Sequence, residues 1–86
     1  MKTKKLLRRI SDFLSEDRRA QIAKADSLEK ILTKLEKKAV ALREKLHDAA
    51  EEAERRELFR KLDVVEAQRK KGEKLAKELE ALRDSA

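Results

Sequence analysis

The chain has 86 residues, of which 49% are charged and 2% aromatic, and its formal net charge at pH 7 is +6. A chain of this length forms at most one small domain and can bury only a small apolar core. It contains no cysteine, which excludes disulfide bonds, thiolate metal ligands and thiol nucleophiles. The lack of cysteine suits a reducing compartment, and we expect a cytoplasmic protein.

The first predicted element is a short basic amphipathic helix within residues 1–17. Its apolar residues recur at helical spacing and are flanked by lysine and arginine; they are Leu6, Leu7, Ile10, Phe13 and Leu14. Arg8 and Arg9 interrupt this apolar stretch, so it does not match a signal peptide. We interpret the five apolar residues as a candidate interaction surface.

Three roles for this N-terminal helix are compatible with its pattern. It could pack back onto the rest of the chain, or swap into a dimer, as a third helix. It could also lie on an anionic membrane surface, because basic amphipathic helices bind such lipids weakly. Finally, it could be a flexible arm that becomes ordered on a protein or nucleic-acid partner.

A coiled-coil seam follows in residues 28–53, where apolar residues recur at alternating steps of four and three. The mean step of 3.5 residues keeps them on one line of a helix that packs against another helix. The seam residues of this first long helix are Leu28, Leu32, Leu35, Ala39, Leu42 and Leu46, with Ala49 and Ala53 continuing the line.

The seam cannot continue as one rod, because Arg56 and Arg60 would come next on the buried line. A second apolar line begins instead, and its residues are Leu58, Leu62, Val65, Gly72, Leu75, Leu79 and Leu82, with the polar Gln68 among them. Asp48 followed by Glu51 fits an N-cap with a reciprocating carboxylate. We therefore predict a turn near residues 47–51 between antiparallel helices at about 18–46 and 51–83.

This arrangement predicts which residues face one another across the hairpin: Leu42 with Leu58, Leu35 with Val65, and Leu28 with Gly72. A glycine inside a helix lowers stability by about 1 kcal/mol relative to alanine. Gly72 is therefore either a point of close helix contact or a local weakness, and we expect the second helix to be softest near Gln68 and Gly72.

The predicted fold class is all-α: an antiparallel two-helix coiled-coil hairpin in residues 18–86 with an extra N-terminal amphipathic helix. Val40, Ile31 and Val64 lie off the seam, and two hairpins associating into a helical bundle would cover them. The predicted state is thus a homo-oligomer. The alternative is a three-helix bundle broken near residue 62, where Asp63 and Glu66 also form a capping signal.

The sequence offers no catalytic, metal-binding or cofactor-binding residues that we can assign. His47 is the one imidazole, and its place at the predicted turn suits a favourable contact with a helix C-terminus. A phosphate-binding glycine loop is excluded because Gly72 is the single glycine. We expect no enzyme activity and no cofactor.

The function favoured by these patterns is a small protein–protein interaction or assembly module that binds itself or another helical protein. The first alternative is a peripheral membrane protein anchored by its basic N-terminal helix. The second is weak electrostatic binding of nucleic acid, which is disfavoured because the basic run at residues 69–74 contains no aromatic residue for base stacking.

Overall fold

The computed structural model describes residues 3–84, and this part of the chain is helical without any strand. Four helices follow one another: α1 (Thr3–Ser15), α2 (Arg18–Ala23), α3 (Ala25–Asp48) and α4 (Glu52–Asp84). α3 and α4 form a long antiparallel pair, and α1 packs against both. The prediction of an all-α protein built on a long helical pair is confirmed.

The turn between α3 and α4 consists of residues 49–51, inside the predicted interval. The predicted N-cap was wrong, because Asp48 is the last residue of α3 and its neighbour Ala49 ends that helix. The backbone carbonyl of Glu51 accepts a hydrogen bond of 3.0 Å from the N–H of Arg55. Glu51 therefore directly precedes α4, and Glu52 and Glu54 supply negative charge at the positive end of that helix.

The long helix predicted to begin at residue 18 is interrupted at Lys24, where φ is −110° and ψ is 22°. The short helix α2 has its own N-cap, since the N–H of Ala20 donates to the Asp17 carboxylate at 2.9 Å. Lys24 has a high intrinsic helix propensity, so local preference does not explain the break. The break has a tertiary cause, because α2 contacts the end of α1 whereas α3 packs along α4.

Gln21 in α2 makes the connection to α1 and is buried. Its amide nitrogen donates to the backbone carbonyl of Phe13 at 3.2 Å and lies 3.5 Å from that of Leu14. These carbonyls belong to the last turn of α1, where helical carbonyls lack partners within the helix. Gln21 thus satisfies a helix end and fixes the position of α2.

The core lies along the seam between α3 and α4. Its buried members are Leu28, Leu35, Ala39 and Leu42 on α3, and Leu58, Val65, Gly72, Leu75 and Leu79 on α4. Leu32, Leu46 and Leu62 pack at its edge and are partly buried. Leu82 departs from the predicted seam, because it is 45% exposed. At its level α4 lies beside the short α2 rather than beside a continuation of α3.

α1 lies on the α3–α4 pair and buries Leu6, Ile10 and Phe13 in the same core. Of the three roles open to the N-terminal helix, the structure shows the one in which it packs back onto the hairpin. It also covers Ile31, which is 8% exposed and which had suggested a second hairpin as partner. α4 is unbroken through residue 62, so a bundle broken at that point is excluded.

At Gly72, side chains of α1 and α3 reach the backbone of α4. A Cβ atom built on Gly72 would lie 2.6 Å from Cδ2 of Leu32 and 3.0 Å from Cδ1 of Ile10. Both distances are shorter than ordinary contacts between carbon atoms, which are about 3.5–4.0 Å. The glycine is therefore a point of close contact, and the side chains that occupy its space are Leu32 and Ile10.

Candidate interaction surface

The N-terminal residues predicted as an interaction surface are mostly inside the molecule. Leu6, Ile10 and Phe13 are buried, whereas Leu7 and Leu14 are half-buried. The five cannot form one exposed apolar surface while α1 lies on the hairpin, because that apolar face is the one that holds α1 in place. The predicted surface is corrected accordingly: what α1 presents to solvent is its basic side.

One groove runs between the first two turns of α1 and α4; we call it the α1/α4 groove. It is lined by Thr3, Lys4, Leu7, Arg60, Lys61 and Val64. Leu7 and Val64 provide its apolar floor, and Val64 is 47% exposed because it lies one residue away from the buried seam position Val65. Lys4, Arg60 and Lys61 place three cations around that floor.

A second groove, the α1/α3 groove, lies on the other side of α1. Its lining residues are Arg9, Ser27, Lys30, Ile31 and Lys34. Lys30 and Lys34 are one turn apart on α3 and share a shallow depression with Asp26 and Glu29. This side of the hairpin is thus also basic, although two carboxylates lie near its lysines.

The six cations of these grooves form what we call the basic face: Lys4, Arg9, Lys30, Lys34, Arg60 and Lys61. The ion pairs among residues 3–84 involve other side chains, and none includes a member of the basic face. Cations held together without carboxylate partners create a positive potential that attracts anionic surfaces. The fold therefore concentrates unneutralised charge around α1.

The opposite side of the hairpin differs, because it carries a network of ion pairs between α3 and α4. Arg43 on α3 contacts Glu66 on α4 at 2.7 Å, Glu66 contacts Arg69 at 2.8 Å, and Arg69 contacts Glu73 at 2.6 Å. Arg43 follows Lys34 by nine residues, about two and a half helical turns, which puts it on the other side of α3. This network joins the two long helices.

The network perturbs the pKa values of its central pair. The hydrogen bond from Arg69 lowers the pKa of the Glu66 carboxyl against the opposing effect of burial, and the charges of Arg69, Arg43 and Lys70 lower it further. The same hydrogen bond raises the pKa of Arg69. Both groups are therefore held in their charged forms, which suits a structural pair rather than a proton-transfer site.

Nothing in the described residues assembles a metal site or a membrane span. Residues 3–84 contain no group of three or more His, Asp or Glu side chains placed to hold a metal ion. His47 is exposed at the end of α3 and lies near Arg43, Glu44 and Asp48. Within the same range, no helix is long and apolar enough to cross a membrane.

The sequence interpretation missed Arg60, Lys61, Lys30 and Lys34 as members of a common surface. Helical spacing could show that Lys30 and Lys34 share a stripe of α3. It could not show which side of the hairpin α1 covers, because chain order allows a fold-back helix to pack on either side. The basic face exists only because α1 packs between those two sets of cations.

Comparison with protein-family models, with curated proteins and with solved structures found no match for this chain. The feature that distinguishes this surface is the gathering of six cations from three helices around α1, opposite the ion-pair network of Arg43, Glu66, Arg69 and Glu73.

Proposed function

We propose that this protein is a small non-enzymatic docking module that binds an acidic surface of another protein through its basic face. One observation carries the proposal: six cations from three helices gather around α1, and none is paired with a carboxylate. Electrostatic complementarity of this kind speeds association and selects partners. The apolar seam is not the docking surface in this proposal, because the hairpin uses it internally.

Charge reversal on the two sides of the hairpin tests the proposal. Lys34→Glu combined with Lys61→Glu reverses one cation on each flank of the basic face. Lys74→Glu combined with Lys77→Glu makes the same change in net charge at exposed positions of α4 outside it. The measurement is capture of proteins from a cell lysate by the intact chain and by both variants, at low and high salt.

The proposal predicts that the intact chain and the Lys74/Lys77 variant capture the same proteins, and that the Lys34/Lys61 variant loses them. Capture should also weaken with added salt, because salt screens exposed charges beyond about 10 Å at 0.1 M. Equal capture by both variants would show that the basic face has no role in docking.

Peripheral binding to an anionic membrane is the second candidate function, and it is favoured by the same unpaired cations together with the basic side of α1. Each Lys or Arg near an anionic leaflet contributes about 1 kcal/mol. The test is co-sedimentation with vesicles containing phosphatidylserine and with neutral vesicles at low salt. Retention by the anionic vesicles alone supports this function, and recovery of all protein in the supernatant argues against it.

Self-association is a further part of the proposal. Val40 and Phe59 are 44% and 60% exposed, although large apolar side chains gain free energy when a partner covers them. Light scattering coupled to size-exclusion chromatography gives the mass directly. We expect a dimer or larger species that dissociates in Phe59→Ser; a monomer at every concentration would rule it out.

A further inference from the structure

We propose that the α1/α4 groove recognises a short acidic amphipathic segment of a partner protein. This inference rests on the proposed docking function and specifies its ligand. One apolar side chain of the segment enters the groove between Leu7 and Val64. Carboxylates on either side of that anchor pair with Lys4, Arg60 and Lys61.

The floor of the groove supports an apolar anchor. Leu7 is half-buried and Val64 is about half exposed, so both present apolar surface that solvent reaches. The groove has a volume of about 500 Å³ and is open to solvent. An open groove between two helices admits a side chain projecting from a peptide, and covering its floor would remove apolar surface from water.

The cations at the edge of the groove determine the charge of the ligand. Lys4 comes from α1, and Arg60 and Lys61 come from α4, so the groove lies between positive charges on both of its sides. Asp63 is the nearest acidic residue in sequence and Glu57 lies one turn before Lys61, yet neither forms an ion pair among the described residues. The three cations are therefore available to carboxylates of a partner.

The α1/α3 groove lacks this combination of features. Its apolar member Ile31 is buried, and the remaining residues that line it are polar or charged. Lys30 and Lys34 also have Asp26 and Glu29 nearby. An amphipathic ligand would find charge but no apolar anchor site there, so the recognition site is assigned to the α1/α4 groove.

The composition of the groove favours a peptide over nucleic acid or a bilayer. It has no aromatic residue on which a base could stack, and Phe59 lies five residues before Val64, about 140° around α4. A lipid headgroup layer would contact the cations, but it offers no projecting apolar side chain to cover Leu7 and Val64. A projecting side chain reaches that floor.

The test uses the full chain and a fluorescein-labelled synthetic peptide in which one leucine is flanked on each side by glutamates. Fluorescence anisotropy at about 0.15 M salt, where distant charges are screened, gives its affinity. A second peptide carries serine in place of leucine, and a third carries glutamine in place of glutamate. Vesicles containing phosphatidylserine and a duplex RNA are measured as alternative ligands.

Two matched pairs of variants locate the binding site. Val64→Ser removes apolar floor, and Val40→Ser removes a valine of similar exposure from α3, nine residues after Ile31 and so on the opposite side. Lys61→Glu reverses a cation of the groove. Lys77→Glu reverses an exposed cation sixteen residues further along α4, about 160° around the helix.

The leucine peptide should bind at least about fivefold more tightly than the serine peptide, because its leucine side chain becomes buried in the groove. Val64→Ser should weaken binding of the leucine peptide by a similar factor, and Lys61→Glu by about tenfold. Val40→Ser and Lys77→Glu should change it by less than about twofold. The glutamine peptide should bind weakly to every variant.

Equal affinity for the leucine and serine peptides, or equal losses in the control variants, would overturn the inference by showing unspecific charge attraction. So would binding of vesicles or RNA without binding of the peptide. If the leucine peptide does not bind while capture of proteins from lysate still depends on Lys34 and Lys61, only the assignment of the ligand to the α1/α4 groove is wrong. If capture is also insensitive to those lysines, the proposed function fails too.

Discussion

At the scale of single residues, a few positions hold the three helical layers together. Gly72 allows Ile10 and Leu32 to approach the backbone of α4, and buried Gln21 satisfies the end of α1. Glu66 ties α3 to α4 through Arg43 and Arg69. Each of these contacts can be tested by one substitution.

Gly72→Leu should destabilise the protein, since the added side chain needs space that Leu32 and Ile10 already occupy. Overpacking of this kind costs about 1–3 kcal/mol, which exceeds the gain of about 1 kcal/mol in helix propensity. The free energy of unfolding from urea titration measures the effect. In a chain that already carries Ile10→Ala, Gly72→Leu should lower the free energy of unfolding by less. An equal loss with and without Ile10→Ala would mean that α1 does not contact Gly72.

Gln21→Leu should lower the free energy of unfolding by about 1 kcal/mol, because the carbonyl of Phe13 then keeps only the N–H of Glu16 and the carbonyl of Leu14 loses the Gln21 amide. Exchange of the α1 amide protons with solvent should also become faster. Unchanged stability in urea titration would show that this hydrogen bond does not hold α1 to α2.

The lowered pKa of Glu66 predicts how stability depends on pH. Its carboxyl has a lower pKa in the folded chain than the ordinary value of 4.5, so its contribution is present above about pH 4.5. That contribution is lost as the pH falls through the folded pKa. Glu66→Gln should therefore reduce the free energy of unfolding at pH 7. The difference in this free energy between the variant and the parent chain should shrink towards pH 3. A difference that does not change with pH would contradict the ion-pair account; Glu29→Gln, at an exposed position, is the control.

At the scale of elements, the long helical pair could be predicted because Leu28, Leu35, Leu58 and Leu79 follow a periodicity that only a paired helix satisfies. The break at Lys24 could not, because the residue favours helix and the cause is a contact with α1. The prediction of an N-cap at Asp48 was wrong because the acidic residues that begin at Glu51 supply another start for α4. The helix begins there, at Glu52, and Asp48 stays in α3. Local signals thus locate the helices, whereas contacts between them set their ends.

The turn between α3 and α4 has an unexpected support in Arg55. Its guanidinium donates to the backbone carbonyl of Leu46 at 2.8 Å and to that of Ala49 at 3.2 Å. Basic side chains near a helix C-terminus can satisfy its last carbonyls. This use of an arginine one turn into the next helix leaves no recognisable sequence signal.

Arg55→Ala should therefore destabilise the turn and lower the free energy of unfolding by about 1 kcal/mol, the typical net value of a hydrogen bond. Arg56→Ala is the matched control, because the one ion pair that Arg56 forms within residues 3–84 is with the exposed Glu52, one turn earlier in α4. Urea titration of both variants gives the comparison. Equal effects would mean that Arg55 acts through charge alone.

At the scale of the whole molecule, the shape is extended rather than compact. The Cα radius of gyration is 14.8 Å, compared with about 12 Å expected for a compact domain of this length. An extended helical pair exposes long sides; α1 lies on the basic one, and the ion-pair network of Arg43, Glu66, Arg69 and Glu73 lies on the other. The candidate site could not be predicted because it is formed by the position of α1, of which the sequence indicates only that it is an amphipathic helix.

The central claim is that α1 lies against the hairpin and thereby creates the basic face. The most direct measurement is the nuclear Overhauser effect between the δ-methyl group of Ile10 and the α-protons of Gly72 in the isotope-labelled full chain. The account predicts a strong cross-peak there, and a second between the methyl groups of Leu7 and Val64. Absence of both cross-peaks, with α1 amide protons exchanging as in an unfolded peptide, would contradict it.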